Sequence, residues 1–347
     1  MIWIFQNKCF IPFIYFSCLQ TNIILAQLSP EKLGFEEVIL KNKTLGDVHY
    51  YHYTKGDAKS KPLLLYLDGP VAYPLFQMME NGKGSTIIFD YLSLAEKYHI
   101  LFISKRGVPF KDSVGKDPST NYPLYQTPDE YTKKLSCDWL VQSADLVIKD
   151  AKKKWKIDKR KVAILGFSEG FQVGCKLISL NKSITHALLF VGDGLIQSYD
   201  FSAKTRLDAQ LCRISDLEAQ HNIDSLNQIL KEIKIDPHNT EKLWKGHSYL
   251  RWSSFWAGKP IDHLLNTKIQ VYIASCTFDQ NTFMFGLQYL YLRSIVALYA
   301  KKNVMYNSYF CDHDFNKLIN DEQGKVLSAK NQIDDFMNEA ITWLNKQ

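Results

Sequence analysis

The chain has 347 residues, 46% of them hydrophobic and 22% charged, a balance that excludes a disordered or collagen-like chain. Net charge is +6, from 42 basic and 36 acidic residues with the signs mixed along the chain. Thirty-six of those 42 cations are lysine, which argues against nucleic-acid reading by bidentate arginine.

The first element is Met1 to Gln27: one charge, Lys8, then a mostly apolar run ending at small Ala26. This is the shape of a secretory signal, expected to be cut after Ala26 and to send the rest to the periplasm or outside the cell. Two other readings stand beside it: retention as a membrane anchor, and lipid attachment at Cys18. No later stretch is long and apolar enough to span a bilayer. The remainder holds five cysteines, Cys137, Cys175, Cys212, Cys276 and Cys311. The number is odd, so at least one thiol is expected free or paired between chains; no pair has C-x-x-C spacing, so neither zinc nor a thioredoxin-type site is expected.

Eight short β-branched or aromatic runs follow, each bounded by polar or turn residues: 35–40, 48–53, 63–67, 100–104, 161–166, 187–191, 269–275 and 304–310. They read as strands. The first two are joined by so few residues, Lys41 to Asp47, that they must form a hairpin. Helical spacing fills the later intervals. Ile87, Tyr91, Leu94 and Ala95 share a face, as do Leu140, Ala144, Val147 and Ala151, and Ile333, Phe336, Met337, Ala340, Ile341 and Leu344. The lysine-rich stretch from Lys152 to Lys161 reads as a solvated helix end. The alternation predicts an α/β fold with a mostly parallel eight-stranded sheet flanked by helices.

The interval from Gly194 to Lys268 breaks this rhythm. It shows no convincing strand, helical stretches at 207–217 and 226–233, and an aromatic cluster of Trp244, Tyr249, Trp252, Phe255 and Trp256. Too long for a plain connection, it reads as a helical cap inserted after the sixth strand. The expected organisation is a leader over 1–26, a core over 27–197 and 263–347, and a cap over 198–262. The aromatic residues either line an apolar pocket or pack the cap on the sheet.

The chemistry is carried by the fifth strand, which runs into Gly166-Phe167-Ser168-Glu169-Gly170 and then a helix from about Phe171 to Leu180. A G-x-S-x-G between strand and helix lifts a serine hydroxyl to the sheet edge at the positive end of a helix. A serine needs a base, and the base needs a carboxylate to orient it. Of nine histidines only His313 lies after the seventh strand, in Cys311-Asp312-His313-Asp314 just past the eighth. The acid belongs at a neighbouring strand end: Asp279 after the seventh strand, with Asp193 after the sixth as its rival.

These motifs resemble the α/β-hydrolase fold family, over nearly the whole chain after the leader. Closest in pattern are its capped esterases and proline-aminopeptidase-like serine hydrolases, some of which carry S-E-G at the elbow. The resemblance implies Ser168, Asp279 and His313 as nucleophile, acid and base, with no metal or organic cofactor. It implies a small-molecule ester or peptide substrate and an oxyanion hole of two backbone amides. One is expected from Glu169. The other belongs to Asp68-Gly69-Pro70-Val71-Ala72, where relatives have His-Gly. Pro70 has no N–H, so Val71 is the expected donor, and the alternative is a catalytically weak or inactive binding protein. After the fourth strand, Arg106 is expected to pin loops. Glu169 is read as making a structural ion pair or, alternatively, holding a substrate amine. Gly82-Lys83-Gly84-Ser85 lacks the spacing of a phosphate loop. Cys276 and Cys311 fall near the ends of the last two strands, adjacent in this fold and about 4.8 Å apart. A disulfide there ties the acid loop to the histidine loop; two buried thiols are the other reading.

Overall fold

A computed structural model describes residues 29–56, 60–80, 82–119, 123–279, 287–322 and 326–347; the expected leader lies outside the described residues. Each of the eight apolar runs forms a strand of one sheet: β1 (Glu36–Asn42), β2 (Gly46–Tyr53), β3 (Lys61–Leu67), β4 (His99–Ile103), β5 (Ile157–Phe167), β6 (His186–Phe190), β7 (Gln270–Cys276) and β8 (Val304–Tyr309). The strand order is β1-β2-β4-β3-β5-β6-β7-β8. β1 and β2 form the expected antiparallel hairpin, with Glu36 opposite His52 and Asn42 opposite Gly46. β2 is also antiparallel to β4, and every later pairing is parallel.

The apolar runs are continuous because both sheet faces are covered. Leu63 and Leu65 of β3 and Val162 and Ile164 of β5 face one layer, built on α1 (Cys137–Lys154), α2 (Glu169–Leu180), α6 (Pro260–Asn266) and α7 (Leu287–Leu298). The alternate residues Leu64, Tyr66, Ala163 and Leu165 face the other layer, dominated by α8 (Ile333–Lys346), whose apolar stripe is buried as its spacing predicts. α1 begins on Ser136, whose hydroxyl accepts from Trp139 N at 3.0 Å, and ends on Lys152, Lys153 and Lys154, cations suited to the negative end of the helix dipole.

The insertion consists of α3 (Gln197–Gln210), α4 (Asp216–Ile235) and α5 (Tyr249–Trp256). The helix expected over 207–217 is broken. The chain turns at Cys212, φ 55°, and restarts on Ser215, which caps α4 by accepting from Glu218 N at 3.1 Å. A small hairpin pairs Leu243–Trp244 with His247–Ser248, a local turn too short to show as a strand pattern. The expected boundary at 262 falls inside α6, whose buried Pro260, Ile261 and Leu264 belong to the core layer. The face expected at Ile87, Tyr91, Leu94 and Ala95 is not one helix. Only Tyr91–Leu94 is helical, because Asp90 caps it there by accepting from Ser93 N at 3.1 Å. The residues before it form a hairpin, Phe76–Met79 with Gly82–Ser85, so the Gly-Lys-Gly-Ser stretch is strand. A further hairpin, Asn316–Asn320 with Val326–Asn331, separates β8 from α8.

Candidate active site

Ser168 sits between β5 and α2 in the strained conformation φ 56°, ψ −114°. A non-glycine residue holds a positive φ only where its surroundings over-determine it. The two flanking glycines explain how. A Cβ on Gly170 would overlap the Leu67 carbonyl of β3, and one on Gly166 would overlap the Gly170 carbonyl. Strand, turn and helix therefore close to backbone contact, and Ser168 N donates to Phe190 O at 3.0 Å. The hydroxyl is left above the sheet edge at the N-terminus of α2.

The parallel ladder delivers the other two groups. β8 follows β7 in register to Cys276 opposite Tyr309. Thr277 N then donates to Tyr309 O at 2.8 Å and Phe278 N to Cys311 O at 3.0 Å. Cys276 and Cys311 are joined by a disulfide, with Cα atoms 5.0 Å apart. Three residues beyond Cys276 stands Asp279 and two beyond Cys311 stands His313, both buried. His313 Nδ1 is 2.8 Å from Asp279 Oδ2 and its Nε2 is 3.0 Å from Ser168 Oγ. This is the geometry in which imidazole N–H donates to carboxylate and serine O–H donates to imidazole. Asp312 shapes the turn by accepting from Asp314 N and Asn316 N, and Phe167 lies with its ring 5.5 Å from that of His313. Burial disfavours the imidazolium, but the Asp279 carboxylate, with Asp314 and Asp312 nearby, outweighs it and holds the His313 pKa above its ordinary value. Burial, with Asp312 and Asp279 nearby and against the pull of His313, pushes Asp314 up to about 6.

Asp193, the rival acid, does not take this place. It accepts from Leu195 N at 3.1 Å, and burial and its neighbour Asp200 push its pKa well up.

The loop after β3 passes beside Ser168: a Cβ on Gly69 would lie 3.6 Å from Ser168 Cβ. It is held by Lys105, which in sequence stands before Arg106-Gly107 where relatives often have an acid. This buried ammonium pairs with Asp68 at 3.0 Å and donates to the carbonyls of Gly69 and, at 2.7 Å, Val71. Burial raises the Asp68 pKa against the pull of Lys105. The Tyr131 hydroxyl donates to Pro70 O. Three successive carbonyls, of Gly69, Pro70 and Val71, are thus each held by a donor. Val71 lines the cavity, 40% exposed, and the Glu169 amide belongs to the first turn of α2, where N–H groups lack intrahelical acceptors. Arg106 pins loops, through Glu130 at 2.6 Å.

Glu169 is bonded to Arg251 of the cap, an ion pair in which the side chains are 11% and 3% exposed. Burial raises the Glu169 pKa, opposed by Arg251 and Lys105. Arg251 was hidden in sequence by the aromatic run around it. Six arginines in all, and one set between Tyr249 and Trp252, was the available signal. The cavity above Ser168 measures about 1370 Å³ and is walled by sheet-edge loops on one side and by His247, Arg251, Trp252 and Phe255 on the other. Trp244, Trp252 and Trp256 also pack on one another, with Trp252 5.0 Å from each of the others. Among the described residues no group of three or more His, Cys, Asp or Glu side chains is placed to hold a metal ion, and no helix is long and apolar enough to cross a membrane.

No protein-family model and no curated protein matches the chain. Solved structures do. An acetyl xylan esterase from Paenibacillus sp. R4 aligns at 13% identity over 89% of this chain and 83% of its own, with a TM-score of 0.50. Porphyromonas gingivalis dipeptidyl peptidase 4 aligns at 11% identity over 90% of this chain and 35% of its own, with a TM-score of 0.50. Pyrococcus horikoshii acylaminoacyl peptidase aligns at 12% identity over 80% of this chain and 38% of its own, with a TM-score of 0.48. The chain spans little more than a third of the length of these two peptidases. At such identities the likeness shows the fold: an eight-stranded, mostly parallel α/β-hydrolase sheet with flanking helices.

Proposed function

On an α/β-hydrolase fold that carries this hydrogen-bonded chain at its sheet edge, we propose that the protein is an exported serine hydrolase that cleaves an ester or amide bond of a small substrate. The observation that carries the reading is His313 bridging Ser168 at 3.0 Å and Asp279 at 2.8 Å. His313, oriented by Asp279, takes the Ser168 proton as the oxygen attacks the substrate carbonyl. The amides of Glu169 and Val71 hold the oxyanion. The leaving group departs with the proton from His313, and water releases the acyl group by the same steps in reverse order. The disulfide supports export, since such bonds persist in oxidising compartments, and so does the leader pattern. A fluorophosphonate probe tests the reading: it should label the wild type and not Ser168→Ala. A panel of p-nitrophenyl esters and aminoacyl anilides then separates esterase from aminopeptidase.

A second reading rests on one observation. Pro70 removes an N–H from the loop that supplies the second oxyanion donor. A binding protein on the same scaffold would neither label nor turn over any of the panel while still binding substrate-like ligands.

A further inference from the structure

The hydrolase reading asks the Val71 amide to hold the oxyanion, in a loop where Asp68 replaces the histidine of relatives and Pro70 has no N–H. Such an amide is effective only if its direction is fixed beforehand, because a preorganised donor stabilises the developing charge without reorganising at the moment of reaction. Among the described residues no acceptor takes the Val71 N–H. Its direction is set instead from the carbonyl side of the same loop.

The Gly69 and Val71 carbonyls share one donor, the Lys105 ammonium, and the Pro70 carbonyl between them accepts from the Tyr131 hydroxyl. Among the described residues no peptide bond is cis, and in a planar trans peptide the N–H and the C=O point in opposite directions. The Val71 N–H shares its plane with the Pro70 carbonyl, so it points away from the Tyr131 hydroxyl. Val71 lines the cavity that holds Ser168, and a Cβ on Gly69, two residues earlier, would lie 3.9 Å from Ser168 Oγ. Both donors are buried. Tyr131, in the helical turn Glu130–Lys134, is 2% exposed, with the Arg251 guanidinium 5.4 Å from its ring. Burial pushes its pKa well up, so the hydroxyl keeps its proton. The Lys105 side chain is 4% exposed and pairs with Asp68 at 3.0 Å. The two departures from the relatives' pattern, an acid in the loop and a cation after β4, are therefore partners.

Resting on the hydrolase reading, we propose that Tyr131 and Lys105 are the positioning residues of the oxyanion hole: Tyr131 turns the Pro70–Val71 peptide so that the Val71 N–H faces the oxyanion formed at Ser168, and Lys105 holds the peptides on either side of it. Neither side chain touches the substrate. Pro70 belongs to the arrangement, since its ring fixes φ between the first two of the three peptide planes. The loop thus gives up one N–H and gains a fixed direction for the next.

The test measures kcat and KM for p-nitrophenyl acetate and for its thiono analogue, in which sulfur, a weak hydrogen-bond acceptor, replaces the carbonyl oxygen. Each rate is normalised to that of the same compound in hydroxide, and the wild type should favour the oxygen ester. Tyr131→Phe keeps the ring and removes only the donor. It should lower kcat for the oxygen ester by about 10- to 100-fold, less than the roughly 10²- to 10³-fold cost of deleting a donor outright. KM should stay within about threefold, as for an interaction made only in the transition state, and the oxygen-to-sulfur ratio should fall by about tenfold. Lys105→Met should act in the same way. Should the lone Asp68 carboxylate unfold that variant, Lys105→Met combined with Asp68→Asn removes both charges at once and should give the same loss. The pH inflection of His313 should stay in place throughout, which separates a loosened oxyanion hole from a disturbed triad. A ratio that survives in either residue's variant, with both rates unchanged or falling by one factor, overturns the role of that residue, and so does an inflection that moves with the rate. A wild type that neither cleaves an ester nor takes up the fluorophosphonate overturns the hydrolase reading and this proposal with it. A wild type that cleaves while both residues prove indifferent overturns the proposal alone.

Discussion

The two walls of the cavity are built differently. On the sheet side, Ser168, Asp279 and His313 each follow the end of a strand by three residues or fewer or, for His313, by four, and the strands are locked by a parallel ladder and a disulfide. On the cap side, Arg251, Trp252 and Phe255 stand on one short helix held to the core by a single buried ion pair, by Gln172 donating to Phe255 O at 2.7 Å, by the Ser254 hydroxyl accepting from Cys137 N at 2.9 Å, and by Phe255 packed in the core. The contrast teaches a division of labour. Under the proposed function, the groups that move protons are fixed by backbone geometry, and the groups facing them across the cavity are fixed by side-chain contacts that can change without disturbing the sheet.

The sharpest way to break this comparison is to remove the sheet-side groups. Ser168→Ala or His313→Ala should lower ester kcat by roughly 10⁴- to 10⁶-fold with the fold intact by circular dichroism. A loss under tenfold would move the chemistry elsewhere. Next comes the choice of acid. Asp279→Asn should cost about 10⁴-fold in kcat, as loss of the correct histidine tautomer does elsewhere, while Asp193→Asn should cost less than tenfold. Equal losses would mean that the two acids work as one unit.

The disulfide closes a loop across a sequence separation of 35 residues. Cys276→Ser with Cys311→Ser should lower stability by about 3–4 kcal/mol by loop entropy, read by denaturant unfolding. Activity should decline before the core melts, since the loops it joins carry both the acid and the base. pH sharpens the same wall. The Asp279 carboxylate raises the His313 pKa, and attack needs the neutral ring, so kcat/KM should fall with decreasing pH through an inflection above the ordinary histidine value of about 6.5. Asp279→Asn should move what inflection remains downward. The sign for stability is opposite: a raised folded-state pKa contributes fully below about 6.5 and is lost as pH rises through the folded value. The smallest expected effect is on the cap. Trp252→Ala should raise KM by about tenfold or less and leave kcat within a factor of about three, the loss of one aromatic contact. A kcat collapse there would join the two walls into one.

Legibility followed the same division. The eight strands were readable because a strand buried on both faces must be a short apolar run. The serine was readable because strand, Gly-x-Ser-x-Gly and helix form one local unit, and the histidine because chain order left a single candidate after β7. The insertion was readable only as a break in rhythm. Its Arg251–Glu169 pair links residues 82 apart in sequence, and Lys105 reaches loop carbonyls 34 and 36 residues away. Neither pairing leaves a periodic trace. The helix around Ile87 failed for a related reason: a helix-like spacing of apolar residues also arises where an extended segment lies on an aromatic layer, and the Asp90 cap overrode it.

The amino-acid sequence by itself determined the layer order, the elbow, and the serine and histidine that meet at it, because backbone hydrogen bonding, hydrophobic period and strand order are local rules. Only the tertiary structure decided that Asp279 and not Asp193 faces the imidazole, that Cys276 and Cys311 are joined, and that an arginine from the cap settles on the carboxylate beside the nucleophile. Those outcomes depend on which buried charges find partners once the chain has closed, and desolvation has no address in a sequence until folding supplies the surroundings.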